Sequence, residues 1–466
     1  MLDLIFLAIF GFSLLAIFTF FIWEKLDFSW LNNIAFCLVL SLPFERVPSL
    51  EMSGVNIRIS QILVLLGFYF LAILLIKKDD QLLQTQINKV TWWIFAFWVS
   101  LLPSLFFAIN GQRQIQVLIA TILVFGATFL ISHFLKNILE TAKYLVLVLS
   151  GVGIFGLYQF VADFVGVPYT ITLLREHYTK RVFGFARIHA TALEPLYWGG
   201  MLLFPCVFLI LYLILKQDLK TKIGSKIEVY FHSKWLLLAA FSVLGLNLIL
   251  TLSRGAYLAF GATTLVALVL SFKNFSWKSI SVYLAPYFLF ITILGVGFIG
   301  FSGDTTLIDK VSDHILNVFS DKQFSTYERL NFLSGALDLI YQNTIVGIGS
   351  GNYGPAVQNN IPQGDGGWLI VNNVYVEIWL EQGLLALLIF VTFLLYYIFQ
   401  GLKYYFELLK NRESGDLHDR LILVLALISS LIGYMLQWLT FSPIFIMPVF
   451  ILLGLLIALI RDKKLE

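Results

Sequence analysis

Apolar positions run along the chain in blocks of membrane-crossing length, with the polar positions gathered between them. A helix needs about 20 mostly apolar residues, each rising 1.5 Å, to cross the hydrocarbon of a bilayer. Blocks of that kind fall near 2–22, 29–44, 58–76, 90–108, 115–135, 142–163, 192–215, 235–252, 256–272, 280–301, 380–400, 420–438 and 443–460. The pattern predicts an all-α polytopic membrane protein of about 12–14 transmembrane helices. The first block lacks a basic start and a small-residue cleavage site, so it reads as a span and not a signal peptide.

The polar stretches between blocks are unequal. Two of them, 164–191 and 302–372, are long. A structureless loop of the second one's length would be unusual in a compact fold, so 302–372 is expected to form a subdomain. Within it Leu307, Val311, Ile315 and Phe319 recur at helical spacing, the pattern of an amphipathic helix lying in the membrane interface. Tyr327 to Ile340 reads as a second helix, and the glycines of GIGSGNYG (347–354) and PQGDGG (362–367) mark turns.

Basic residues sort the loops by side. One alternating set of loops holds 20 of the 31 lysines and arginines, and the richer side is expected to be cytoplasmic. Residues 1–301 then hold helices one to ten, with an outer loop near 164–191. Residues 302–372 are the large extracytoplasmic loop, and 373–466 hold the last three helices and a cytoplasmic carboxyl terminus.

Composition agrees and narrows the classes. Hydrophobic residues make up 59% and charged residues 13%, about half the charge of a soluble globular chain. Surface-to-volume scaling does not let a soluble protein hide that apolar excess. A nucleic-acid binder, a secreted disulfide scaffold and a cytosolic enzyme are excluded. Cys37 and Cys206 both lie inside apolar blocks, so neither a disulfide framework nor a thiolate metal site is expected.

The kind of cation differs between the sides. The cytoplasmic set is 17 lysines and 3 arginines, whereas the outer set is 8 arginines (Arg46, Arg58, Arg113, Arg175, Arg181, Arg187, Arg254 and Arg329) and 3 lysines. Topology needs only positive charge. Arginine adds a planar fork that holds phosphate or carboxylate through two bonds, so its concentration outside points to recognition. Headgroup anchoring is the plainer alternative for Arg46, Arg58 and Arg113.

Four outer segments carry the candidate chemistry. RVFGFARIHATALEP (181–195) offers Arg181, Arg187 and His189, with Glu194 before Pro195 at the membrane boundary. Glu194 is a candidate base, and capping of the following helix is its structural alternative. TLSRGAY (251–257) pins Arg254 between two spans with almost no loop, which favours an anion site over a snorkelling side chain. Arg329 lies on the polar face of the helix at 327–340. In VNNVYVEIWLEQG (371–383), Asn373, Glu377 and Glu381 share one helix face, which is costly in a membrane unless it lines a wet cavity.

Together these segments resemble the O-antigen ligase and polymerase superfamily of bacterial envelope polysaccharide assembly. That family joins two spans through an SRG-type motif, here Ser253–Arg254–Gly255. An arginine helix ending in a GxGxGN-like turn follows, here Arg329 through Gly347–Asn352. Next comes an Asn/His–Asn–x–Tyr…Glu–x–Gly entry to a span, here Asn372, Asn373, Tyr375, Glu381 and Gly383. Arg181, Gly184 and Glu194–Pro195 resemble the preceding loop, and the likeness covers 180–390. The ligases place a histidine, their usual candidate base, where this chain has Asn372, and asparagine has no proton-accepting state near neutrality. The last glycine of the ligase GxxG pattern is also replaced, since Leu384, Leu385 and Ala386 follow Gly383. Both departures favour a polymerase, or another member of the superfamily, over a ligase.

The resemblance implies transfer of glycan from an undecaprenyl-diphosphate carrier to a sugar hydroxyl of another lipid-linked repeat unit. The reaction would take place at the outer face of the bacterial cytoplasmic membrane, without cofactor, metal or nucleic acid. In it Arg254 and Arg329 are expected at the diphosphate, flanked by Arg181 and Arg187. Glu194 is expected as base with Glu377 or Glu381 as second choice, and Asn372, Asn373, Tyr375 and Glu381 as substrate-positioning residues. The bilayer, a flippase and a chain-length regulator are the implied partners. Two alternatives stand beside this reading: ligation to lipid A-core or another terminal acceptor, and transport of a lipid-linked sugar or small anion.

Overall fold

The apolar blocks fold as helices wherever the structure, a computed structural model, describes them. The described residues are 25–44, 46–47, 49–52, 55–79, 89–175, 181–182, 185–215, 227, 230–231, 233–272, 324–342, 345–357, 369–410, 415–442 and 446–462. The expected spans at 2–22 and 280–301, the amphipathic helix at 307–319 and the turn at 362–367 lie outside them.

In chain order the helices are α1 (Phe28–Leu40), α2 (Ile59–Lys77), α3 (Lys89–Leu101), α4 (Gly111–Phe134), α5 (Ile138–Phe164), α6 (Pro195–Met201), α7 (Leu203–Leu215) and α8 (Lys234–Leu250). They continue with α9 (Arg254–Ser271), α10 (Phe324–Gln342), α11 (Tyr353–Val357), α12 (Val374–Gln382), α13 (Leu384–Lys410), α14 (Gly415–Gln437) and α15 (Met447–Asp462). Two strands, Ser49–Met52 and Val55–Arg58, form an antiparallel hairpin that hydropathy did not announce. Eight segments among the described residues are long and apolar enough to cross a membrane, and α1 and α8 are shorter apolar helices. The chain is an all-α polytopic membrane protein.

The block expected at 380–400 is displaced. The chain breaks at Gly383, whose φ of 92° suits only glycine, and the span runs over Leu384–Lys410. What precedes it is the separate short helix α12.

Small residues set the closest crossings. A methyl group at Gly199 would meet Ala256 Cβ at 2.4 Å, and one at Gly126 would meet the Phe68 ring at 2.7 Å. Such approaches suit helices packing in lipid, where shape and not water exclusion drives association. The segment Pro195–Leu215 is buried along its whole length, whereas α2 and α9 have only about a third of their length covered by protein.

Among the described residues, basic side chains of the two sets lie at opposite ends of the helices. At one end Lys77 Nζ donates to Leu26 O at 2.7 Å, Lys143 pairs with Asp419 at 2.8 Å and Arg420 pairs with Asp462 at 2.9 Å. At the other end lie Arg46, Arg113, Arg181, Arg187 and Arg254. A second, smaller apolar cluster of Ala336, Ile340, Ile348, Tyr353, Val357, Val371 and Leu380 ties α10, α11 and α12 into a unit at the arginine end.

Candidate functional site

Four turns at the arginine end hold side-chain-bearing residues in the left-handed region: Leu173 (φ 58°), Ala190 (φ 48°), Leu252 (φ 48°) and Asn372 (φ 62°). For a residue such as leucine that conformation costs roughly 1–2 kcal/mol, so the surrounding contacts must impose it. At Leu252 the result is an abrupt reversal. α8 ends at Leu250, Ser253 is the extended N-cap, and Arg254 is already the first residue of α9.

The segment 185–189 lies against this reversal. Ile188 N donates to Leu250 O at 3.2 Å, and Arg187 Nε donates to Thr251 O at 3.0 Å. Arg187 is thereby drawn in, and burial lowers its pKa. Tyr257 and Glu194 act on it in the opposite direction, while Arg329 and Arg254 lower it further. Five groups from three chain regions therefore share one neighbourhood: Arg187, Glu194, Arg254, Tyr257 and Arg329. Tyr257 was not singled out from the sequence, although it stands one helical turn beyond Arg254. Its hydroxyl donates to Ile249 O across the reversal.

Glu194 occupies the N-cap of α6 with extended backbone and Pro195 at the first helical position, yet its side chain makes no capping bond. Its charge is felt at Arg187 instead. Arg181 is exposed at the periphery, where it pairs with Asp163 at the end of α5 at 3.0 Å.

The segment entering α13 is tied into the protein itself. Asn373 Oδ1 accepts from Tyr375 N at 3.0 Å and Val376 N at 3.1 Å, so it caps α12. Asn373 Nδ2 donates to Leu439 O and Tyr375 OH to Met435 O, which fastens α12 to the end of α14. Asn372 donates to Ile370 O at 3.5 Å and is half-buried.

Glu377 and Glu381 are both buried. Glu377 Oε2 accepts from Val371 N at 3.0 Å. The Glu381 carboxylate accepts from Gly351 N at 2.7 Å and from Tyr353 N at 3.0 Å. Burial and then the Glu381 charge push the Glu377 carboxyl well above its ordinary range. Burial raises Glu381 too, against the pull of the N–H groups of Tyr353, Gly351 and Asn352 and of Arg113. Tyr353 OH in turn donates to Phe332 O at 2.8 Å, one turn beyond Arg329 on α10. The glycine-rich turn thus spends its N–H groups on α12: Ile348 N and Gly349 N donate to the carbonyls of Leu380 and Glu381, both at 2.9 Å. It is a brace that sets α10, not a cradle for phosphate.

The arrangement is a set of guanidiniums beside a carboxylate that makes no capping bond, at the N-terminus of a long helix where negative charge is favoured. Residues 239–391 match the family model described as O-antigen ligase. The match supports a likeness to the O-antigen ligase and polymerase superfamily over a third of the sequence, from within α8 to the start of α13. Arg254, Arg329, Glu377 and Glu381 lie within it, whereas Arg181, Arg187 and Glu194 precede it. A search of curated proteins finds no match.

Proposed function

We propose that this membrane protein is a polysaccharide polymerase. It transfers glycan from a lipid diphosphate carrier to a sugar hydroxyl of another lipid-linked repeat unit at the outer face of the cytoplasmic membrane. The observation that carries the reading is the gathering of Glu194, Arg254 and Arg329 around Arg187. The acceptor oxygen forms a bond to the anomeric carbon as the bond from that carbon to the diphosphate oxygen breaks. The electron pair leaves with the carrier diphosphate, and the hydroxyl proton passes to Glu194.

Negative charge grows on the diphosphate as it departs, so fixed cations there act on the transition state directly. Charge-assisted bonds contribute about 1.5–3 kcal/mol each, and two of them supply several powers of ten in rate. Arg254 and Arg329 form the clamp, with Arg187 behind them. Glu377 is deeper and held by Val371 N, which leaves Glu194 the better placed base. A flippase would supply the substrate and a chain-length regulator would set its extent.

The family description itself favours a second reading, ligation of finished glycan to a terminal acceptor. Asn372 in place of the ligase histidine argues against it. Deleting the gene separates the two: loss of a polymerase leaves single repeat units attached, and loss of a ligase leaves long chains on the carrier. For the clamp, Arg254→Lys keeps the charge and removes the fork, so polymer length should collapse at normal protein level. An unchanged glycan ladder overturns it.

A further inference from the structure

The turn that follows α14 passes beside Arg254, although it lies beyond the matched residues 239–391. A methyl group at Gly255, the residue after Arg254, would meet Leu196 Cδ1 at 3.2 Å and Thr440 Oγ1 at 3.7 Å. The same turn is fastened to the entry of α12. Val374 N donates to Trp438 O at 3.0 Å, and Asn373 Nδ2 donates to Leu439 O at 3.2 Å. The Phe441 ring stands edge-on to Tyr197 of α6, with 5.1 Å between centroids. Residues 438 to 441 thus meet α12, α9 and α6 in turn, and Thr440 is the exposed polar side chain among them.

The chemistry of that side chain is fixed by its own turn. Thr440 N and Thr440 Oγ1 both donate to Gln437 O, at 3.0 and 3.1 Å. A carbonyl only accepts, so the hydroxyl proton is committed there and Oγ1 has only lone pairs left to offer. Tyr257, one turn beyond Arg254, is in the same condition, since its hydroxyl donates to Ile249 O. An oxygen that can only accept repels the oxygens of an ionised diphosphate. It suits a group with a proton to give, and the sugar joined to that diphosphate carries hydroxyls. The Arg254 guanidinium has the opposite character, five donors and no acceptor. Donors fit for phosphate and acceptors fit for sugar hydroxyls therefore stand on neighbouring backbone.

We propose that Thr440 Oγ1 accepts a hydrogen bond from a hydroxyl of the sugar attached to the carrier diphosphate, and so contributes to the choice of sugar. The proposal rests on the glycan-transfer reading, in which Arg254 holds the diphosphate. It brings into the site a residue from the end of α14, which Asn373 and Gly255 hold from two sides.

Binding is the test. The full chain in nanodiscs of zwitterionic phospholipid is titrated with two probes that share one tail. These are undecaprenyl diphosphate and the lipid-linked glycan extracted from cells deleted for the gene. T440V removes the hydroxyl at an exposed position and keeps the branched shape, a change that surface positions tolerate. It should bind the glycan roughly three- to tenfold more weakly, and undecaprenyl diphosphate within about twofold of the unaltered chain. T440S retains the hydroxyl and should bind both probes as the unaltered chain does. Unchanged glycan affinity in T440V overturns the contact. An equal loss for both probes also overturns it, because it places Thr440 at the phosphates. R254K should weaken both probes. If R254K leaves both unchanged while T440V loses the glycan alone, the diphosphate clamp fails and the sugar contact stands. Binding as expected without elongation of the glycan by the purified chain overturns the polymerase reading and likewise leaves the contact standing.

Discussion

Single residues at the arginine end differ in what the protein asks of them. His189 is a hydrogen-bond acceptor in a buried clasp, and burial lowers its pKa from 6.5 to about 4. Between those values the unfolded chain binds a proton that the folded chain does not, so stability is present above pH 6.5 and is lost as pH falls toward 4. The whole window is worth on the order of 3 kcal/mol. Thermal inactivation of the detergent-solubilised protein should therefore quicken on acidification through this range. His189→Gln, which keeps an acceptor and cannot take the proton, should flatten that slope, and an equal slope would remove His189 from the account. Glu194 is asked for something else. Glu194→Gln keeps the size of the side chain and removes the negative charge that acts on Arg187. Chain elongation by the purified protein from lipid-linked repeat units should fall by a factor on the order of 10²–10⁴.

At the scale of elements, the brace between α10 and α12 is the least expected feature. A methyl group at Gly383 would meet Ile345 O at 2.4 Å, and one at Gly347 would meet the Glu381 backbone at 2.7 Å. Gly383→Ala should accordingly free α10 from α12, with limited proteolysis cutting between 324 and 357 while α13 to α15 stay protected. Glu381→Gln presents an NH₂ group to one of the two N–H donors it now satisfies, and should weaken the same unit by about 1–3 kcal/mol. Tyr353→Phe loses only the bond to Phe332 O, about 0.5–1.5 kcal/mol, and should show a milder form of the same cleavage. The helices themselves were legible, because apolar runs and caps are local signals. Asn373 before Val374 is such a cap. Glu381 could not be read in the same way. Its partners, Gly351 and Tyr353, lie some 30 residues earlier in the chain, and no local pattern reports that a carboxylate will meet two backbone N–H groups there.

For the molecule as a whole, the separation of lysine from arginine has become geometry. Lys77, Lys143 and Arg461 are engaged at one end, and Arg46, Arg181 and Arg187 at the other. Loop charges were enough to sort these residues because helices alternate in direction. Which arginines would converge was beyond reach, since Arg187, Arg254 and Arg329 meet only through folded backbone. With the lysine end in the cytoplasm, Gln112→Cys in a background lacking Cys37 and Cys206 should react with a membrane-impermeant maleimide on intact spheroplasts. Lys403→Cys should react only after lysis, and the reverse pattern would invert the orientation. The wholly buried segment Pro195–Leu215 adds a constraint of timing. One of its principal neighbours, α14, begins about 200 residues later in the chain, which at 5–20 residues per second is roughly 10–40 s of synthesis. The central helix must therefore reside in lipid, with its protein-facing surface exposed, until its last partners emerge from the ribosome. Substitutions there that place a polar group on that surface should be felt first as a failure of insertion, before any folded protein exists to be destabilised.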